Sequence, residues 1–224
     1  MGETNARYEA ICAERDAFWG AWGESDPDFL VPIVNPAFQG FPAWPGLRQA
    51  YRTVRRGSLT LLATDGLADL YDDDPDDEWP GLGLEFYVVT KDAFPDGLIG
   101  TWVWDLLFQV GATAAEHGRF RPLLEEYGSM SLEVHDVNAP DDWKTENGTV
   151  GLLIGAQDPG GAGVPPMMDV PPMGVRAVNL KLLTLDELAY VAEYGVDGRN
   201  ELLRRFTEAG QVQRSGLSRP SVFA

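Results

Sequence analysis

Histidine, cysteine and positive charge are all scarce in this chain. Its 224 residues include two histidines, His117 and His135, and one cysteine, Cys12. A lone cysteine excludes an intramolecular disulfide and predicts a reducing, cytoplasmic setting. Zinc sites draw on closely spaced Cys and His pairs, which the chain lacks. Cys12 falls on the apolar face of an expected helix, where a thiol is inert rather than nucleophilic, and no G-x-S-x-G elbow supplies a serine nucleophile. Seventeen Lys and Arg stand against 35 Asp and Glu, a formal charge of −18. That balance is the reverse of what phosphate neutralisation needs, so nucleic acid is excluded as a partner. Anionic membranes are disfavoured for the same reason. No run approaches the ~18 apolar residues of a spanning helix, and the polar N-terminus lacks the basic-then-apolar order of a secretory signal.

Acid, glycine, proline and aromatics are plentiful. Hydrophobic residues make up 44% of the chain, enough for one domain over 1–224 with a real core. Tyr8, Ile11, Cys12, Phe18, Trp19 and Trp22 recur at helical spacing, predicting a helix over 4–22 that Gly23 ends. Proline-rich residues 24–46 predict an ordered but irregular segment over the core. Strands are predicted at Leu59–Ala63, Leu84–Val89, Leu132–His135 and Val150–Ile154, the last entered through the turn dipeptide Asn147-Gly148. Ile99–His117 reads as a long helix. The Pro/Gly-rich stretch 157–174 reads as a loop. Val178, Leu180 and Leu182 alternate with Asn179 and Lys181, predicting a half-exposed strand. Thr184 and Glu187 have capping-box spacing and open a helix to Tyr194. A second helix is expected near 199–209, then a coil tail over 211–224. Helices bracketing a run of strands predict an α+β fold: a central mixed, mostly antiparallel sheet flanked by helices.

The densest charge is Asp72-Asp73-Asp74-Pro75-Asp76-Asp77-Glu78. Asp72, Asp74 and Asp76 match the first three ligand positions of an EF-hand, but Asp77 occupies its glycine position and Gly83 its closing glutamate position. No metal or cofactor is therefore predicted. Gly81-Leu82-Gly83 lacks the third glycine and the lysine of phosphate loops. Crowded like charges raise the energy of a compact state until a cation relieves them, and flanking aromatics are typical interface anchors. The expected partner-binding surface is Asp69, Tyr71, Asp72, Asp73, Asp74, Asp76, Asp77, Glu78 and Trp79, and the expected partner is a basic protein. The plain alternative is a solvated acidic loop. Two other readings remain open at this point. One is an acid-using hydrolase, for which Glu85 is the one carboxyl expected within a buried strand. The other is a scaffold or homo-oligomer.

The stretch Thr64-Asp65-Gly66-Leu67-Ala68-Asp69-Leu70-Tyr71, followed after the acidic run by Gly81-Leu82-Gly83-Leu84-Glu85-Phe86, resembles the central signature of the Suppressor of fused family. Ala68 stands where the family has serine, and Leu82 where it has an aromatic. Trp102–Phe120 is similar to the family's next helix. Gly174–Leu183 with Thr184-Leu185-Asp186-Glu187-Leu188 is similar to its closing strand and helix. The resemblance covers roughly 40–210 and is that of a bacterial-type member without the second domain of animal relatives. It implies a non-enzymatic binding domain, with Tyr71 matching a partner-contacting tyrosine. It also implies an immunity protein that neutralises a toxin.

Overall fold

A computed structural model of the chain describes residues 2–70, 79–161, 163–171 and 173–224. Helix α1 spans Gly2–Trp22, and the Gly23 amide closes its last turn on the Trp19 carbonyl. Strands β1 (Glu24–Ser25), β2 (Ala50–Arg56), β3 (Leu59–Asp65) and β4 (Leu84–Thr90) pair antiparallel in succession. The β2–β3 hairpin turns on Gly57-Ser58, where Gly57 takes a left-handed φ of 59° that costs an L-residue energy but not glycine. Helices α2 (Trp102–His117) and α3 (Phe120–Tyr127) follow, then β5 (Met130–Val134), β6 (Val150–Ile154), β7 (Met167–Met168), β8 (Val175–Leu183), α4 (Leu185–Glu208) and β9 (Arg214–Ser215). The strand order is β1-β2-β3-β4-β8-β6-β5, with β7 on β8 and β9 on β4. Among the described residues, only β4–β8 and β4–β9 run parallel. The fold is thus the α+β arrangement of a mixed, mostly antiparallel sheet with helices on it.

Alternation along the strands sorts side chains into two layers. Leu62, Leu84, Phe86, Val88, Leu180 and Leu182 face α2, meeting Trp102, Val103, Leu106, Leu107 and Val110. Gly111 lies on the contact face of α2 because a Cβ there would sit 2.7 Å from the Trp44 ring. Val54, Leu61, Ala63, Tyr87 and Val89 face the other way, onto Ile11, Trp19 and Trp22 of α1. Farther along, α4 covers Leu153 and Leu183 with Leu188, Val191, Leu202 and Phe206. At about 25 cal/mol per Å² of apolar surface, each fully buried Leu, Val or Phe contributes roughly 1.5–3 kcal/mol.

The structure departs from the sequence expectations in several places, the separate helix α3 among them. Strand β2 was hidden by its three arginines, which read as surface rather than strand. The expected C-terminal helix pair is present within α4, its two segments meeting at a kink at Gly195, whose φ 56°, ψ −122° lies outside helical space. The Pro/Gly-rich stretch contributes the short strand β7. Strand β8 is buried on both faces rather than half-exposed, because the C-terminal tail lies over it and is ordered. Asn179 Nδ2 donates to the Gln213 carbonyl at 3.0 Å, and Lys181 Nζ donates to the carbonyls of Gln211 (2.7 Å) and Arg214. Burial holds the Lys181 ammonium well below the usual lysine range, since desolvation disfavours its charge.

The tail is locked by a second buried pair. Glu187 accepts from Arg219, from the Val222 amide (3.0 Å) and from the Thr184 amide (2.9 Å), the last being the glutamate half of the capping box. Arg219 also donates to the Leu182 carbonyl at 2.6 Å. Burial acts to raise the Glu187 pKa, but the Arg219 hydrogen bonds and charge outweigh it and hold the carboxyl below its ordinary value. A depressed carboxylate stabilises the fold above its unfolded pKa of about 4.3 and loses that contribution as pH falls through the lower folded value. Removing one partner of a buried pair costs about 3 kcal/mol, so Glu187→Gln should lower unfolding free energy by roughly that much in urea titrations. Amide exchange should quicken over 211–222 first. Unchanged tail protection in the variant would refute the lock.

Candidate functional site

The end of the sheet beside the acidic run is organised by three arginines and three acids. Arg52, Asp65 and Glu85 share strand faces with Val54, Ala63 and Tyr87, so all three point at α1. Arg15 descends from α1 into their midst and is fully buried. Its Nη1 donates to Glu85 Oε1 at 2.9 Å and its Nη2 to Asp69 Oδ1 at 2.6 Å, with Asp65 at 3.6 Å. Arg48 reaches Asp69 Oδ2 at 2.8 Å and also pairs with Asp65. Arg52 Nε donates to Asp65 Oδ2 at 2.9 Å, and its Nη2 reaches the exposed Asp16. Phe29 caps the cluster, its ring centroid 4.7 Å from the Arg52 and 5.9 Å from the Arg48 guanidinium. Burial acts to raise the Asp65 pKa, but Arg15, Arg48 and Arg52 outweigh it and hold the carboxyl below the usual aspartate range.

Glu85 bridges the point where β3 and β4 part. Their last paired residues are Ala63 and Tyr87. Beyond them, Thr64 Oγ1 accepts from the Phe86 amide (2.8 Å) and donates to Glu85 Oε2 (2.6 Å). Glu85 Oε1 accepts from the Gly66 and Ala68 amides, both at 3.0 Å, as well as from Arg15. Burial, reinforced by the nearby Asp65 charge, holds the Glu85 pKa above the ordinary glutamate value, although Arg15, Thr64 and the Gly66 amide pull it the other way. Each of its hydrogen-bond partners is a donor, so the carboxyl oxygens serve as acceptors within the fold. The hydrolase reading required a general acid here; the geometry gives Glu85 a structural role, capping the amides that start the next turn.

Those amides belong to a rigid neck from which the acidic run emerges. The Leu82 amide bonds to the Leu67 carbonyl at 2.8 Å, and the Gly83 amide to the Pro80 carbonyl at 2.8 Å. Gly81 is required because a Cβ there would lie 2.4 Å from the Asp69 carbonyl oxygen, and Gly83 because one would lie 2.5 Å from the Trp79 ring. The Gly81-Leu82-Gly83 glycines are thus packing residues. Trp79 is half-buried, with the Arg121 guanidinium 4.3 Å from its ring centroid. Arg121 in turn donates to the Gly83 and Gly174 carbonyls at 3.0 and 2.8 Å.

Of the residues expected to form the partner surface, Asp69 and Trp79 are the two that the structure describes, and they flank the neck. Asp69 is buried and spent on Arg15 and Arg48, so its observed role is to anchor the neck. Tyr71, Asp72, Asp73, Asp74, Asp76, Asp77 and Glu78 lie outside the described residues. Among the described residues, no group of three or more His, Cys, Asp or Glu is arranged to hold a metal ion. Sequence reasoning missed Arg15, Arg48 and Arg52. The one available signal was an arginine on the apolar stripe of α1, four residues before Trp19.

Breaking this cluster from its centre should be severe. Arg15→Met leaves the buried Glu85 without its cationic partner and Asp69 with Arg48 alone, and the expected loss is roughly 3–5 kcal/mol of unfolding free energy. Asp16→Asn, at the exposed rim, should cost less than about 1 kcal/mol. Equal losses for the two variants in chemical denaturation would contradict the centre-and-rim description.

No protein-family model and no curated protein matches the sequence. Solved structures do match. A chain of the Sufu–Fu complex crystal structure superposes with a TM-score of 0.56 and 16% identity, over 96% of this chain and 92% of that one. Drosophila Suppressor of fused gives the same TM-score at 17% identity, over 96% of this chain but 51% of the other, so this chain spans about half its length. At such identities the likeness is one of backbone architecture. The mixed sheet, nine-stranded among the described residues, and its flanking helices form a Suppressor of fused-like fold.

Proposed function

We propose that this chain is a non-enzymatic protein-binding module that recognises a basic protein through the acidic run at the β3–β4 neck. The observation that carries this reading is six acids within the seven residues 72–78, held at both ends by a neck locked through Glu85, Asp69 and Arg121. The similar fold in the Sufu–Fu complex supports protein binding as the activity class. The charge of −18 supports a cationic partner, since like charge is repelled and opposite charge is steered to the surface. In its finer form the reading is an immunity protein that masks a basic toxin domain in the cytoplasm, in keeping with the lone cysteine.

The test is association kinetics with the cognate partner, sought first among proteins made together with this chain. Replacing Asp73, Asp74 and Asp76 by lysine should slow association by roughly tenfold or more at low ionic strength, the deficit shrinking as salt screens it. Rates that ignore both the substitutions and the salt would refute the assignment.

A further inference from the structure

A cavity of about 470 Å³ lies at the Leu59 end of β3, away from the neck. Five separate parts of the chain wall it: the end of α1, the β2–β3 hairpin, β4, the loop ahead of β7 and the C-terminal tail. Trp22, Leu59, Val89 and Val212 give it apolar sides. Arg56, Asp158 and Arg214 bring charge to it. Cavities of roughly 300–1,000 Å³ with apolar walls and a few polar groups are the usual form of a small-molecule site. Six residue steps along β3, at ~3.3 Å each, put it about 20 Å from the neck. It is therefore independent of the protein-binding reading.

The walls are fixed by hydrogen bonds between distant segments. Gln213 Oε1 accepts from the Val164 amide at 2.7 Å, and its Nε2 donates to the Val164 carbonyl at 3.1 Å, clamping the loop to the tail. Gly163 makes room for this clamp, since a Cβ there would lie 2.0 Å from Gln213 Oε1. Arg214 is paired with Val89 in the β4–β9 ladder, and Lys181 holds the carbonyls of Gln211 and Arg214. The Arg56 guanidinium sits 5.7 Å from the Trp22 ring centroid. Arg214 Nη2 donates to the Gly210 carbonyl. Walls already in place lower the ordering cost of binding.

The charge balance of the cavity inverts that of the chain. Acids outnumber bases 35 to 17 overall, whereas two arginines and one acid line this space. Asp158 is partly spent, its Oδ1 accepting from the Gly160 amide at 2.9 Å. Tyr87, on the same face of β4 as Val89, is buried, and its hydroxyl has no hydrogen-bond partner among the described residues. Such an orphan is uncommon in a folded chain. Burial raises its pKa well above the usual tyrosine range and the Asp158 charge adds to this, so it stays a donor. We propose that the cavity binds a small amphipathic carboxylate, its apolar body against Trp22, Leu59, Val89 and Val212 and its anionic head at Arg56 and Arg214. Guanidinium forks match a carboxylate in geometry as well as charge. An amine meets a net positive lining, and an inorganic anion has no apolar body to bury.

The experiment titrates octanoate, octan-1-ol and octylamine into the ¹⁵N-labelled full chain and follows its NMR spectrum. Octanoate should give saturable shifts at the Trp22 indole N–H, the Gln213 carboxamide and the Arg214 amide. Octanol should bind the same place about tenfold or more weakly, the difference expected of charge-assisted hydrogen bonds, and octylamine more weakly still. Arg56→Gln/Arg214→Gln should bring octanoate down to the octanol level and leave octanol unchanged. Arg56→Gln alone, at an exposed position, should show part of that loss and serves if the double variant fails to fold. Leu59→Trp, which fills the cavity, should weaken octanoate and octanol together by about tenfold or more. Equal binding of octanoate and octanol, or octanoate indifferent to the arginine variants, overturns the proposal. So does the absence of saturable shifts at Trp22 and Gln213 in millimolar octanoate, and so do shifts centred on the exposed Ile33 and Phe38, which mark adsorption to surface apolar groups.

Discussion

The guanidinium of Arg15 is the point on which one end of the molecule depends. It ties α1 to Glu85 on β4, to Asp69 in the neck and to Asp65 at the end of β3, across sequence separations of 70, 54 and 50 residues. Three arginines and three acids share the site, so its net charge is close to neutral. Such a cluster is a weak source of net stability, since desolvating the ions offsets most of their attraction. What it supplies is position: each carboxylate is satisfied in one arrangement, and displacing any member leaves a buried charge unpaired.

That specificity accounts for the local backbone. The β3–β4 ladder ends at Ala63 and Tyr87, and unpaired amides beyond it would be costly if buried. Glu85 and Thr64 accept from them, turning the end of a strand pair into a tight turn. Gly81 and Gly83 let the returning chain approach within distances that no Cβ permits. The segment ahead of β2 is tied to the same neck through Arg48, which pairs with Asp69, and through Phe29 over the arginines.

The opposite end of the sheet repeats the device with other residues. The tail lies over β8, giving Lys181 two carbonyl acceptors and Asn179 one, and Glu187 with Arg219 closes it down. Hydrophobic packing of α4 on Leu153 and Leu183 supplies burial there, while the ion pair selects where the tail lies.

Local and periodic features were legible in the amino-acid order alone. The apolar stripe of α1, the apolar runs of β3, β4 and β6, the glutamate cap at Thr184 and the α+β class all depend on residues within a few positions of one another. The acidic run and the scarcity of histidine and cysteine were equally plain. Tertiary structure alone decided the rest. Arg52, Arg55 and Arg56 disguised β2 because nothing local reveals that an arginine will meet Asp65 thirteen residues away. Asn179 and Lys181 read as solvent-facing because the tail that buries them arrives more than thirty residues later. Asp69 read as surface because its partners are Arg15 on α1 and Arg48 ahead of β2, distant in sequence. Charge pairing between distant segments has no period, so it leaves no pattern in the order of residues, and only the folded chain shows which charges are spent inside.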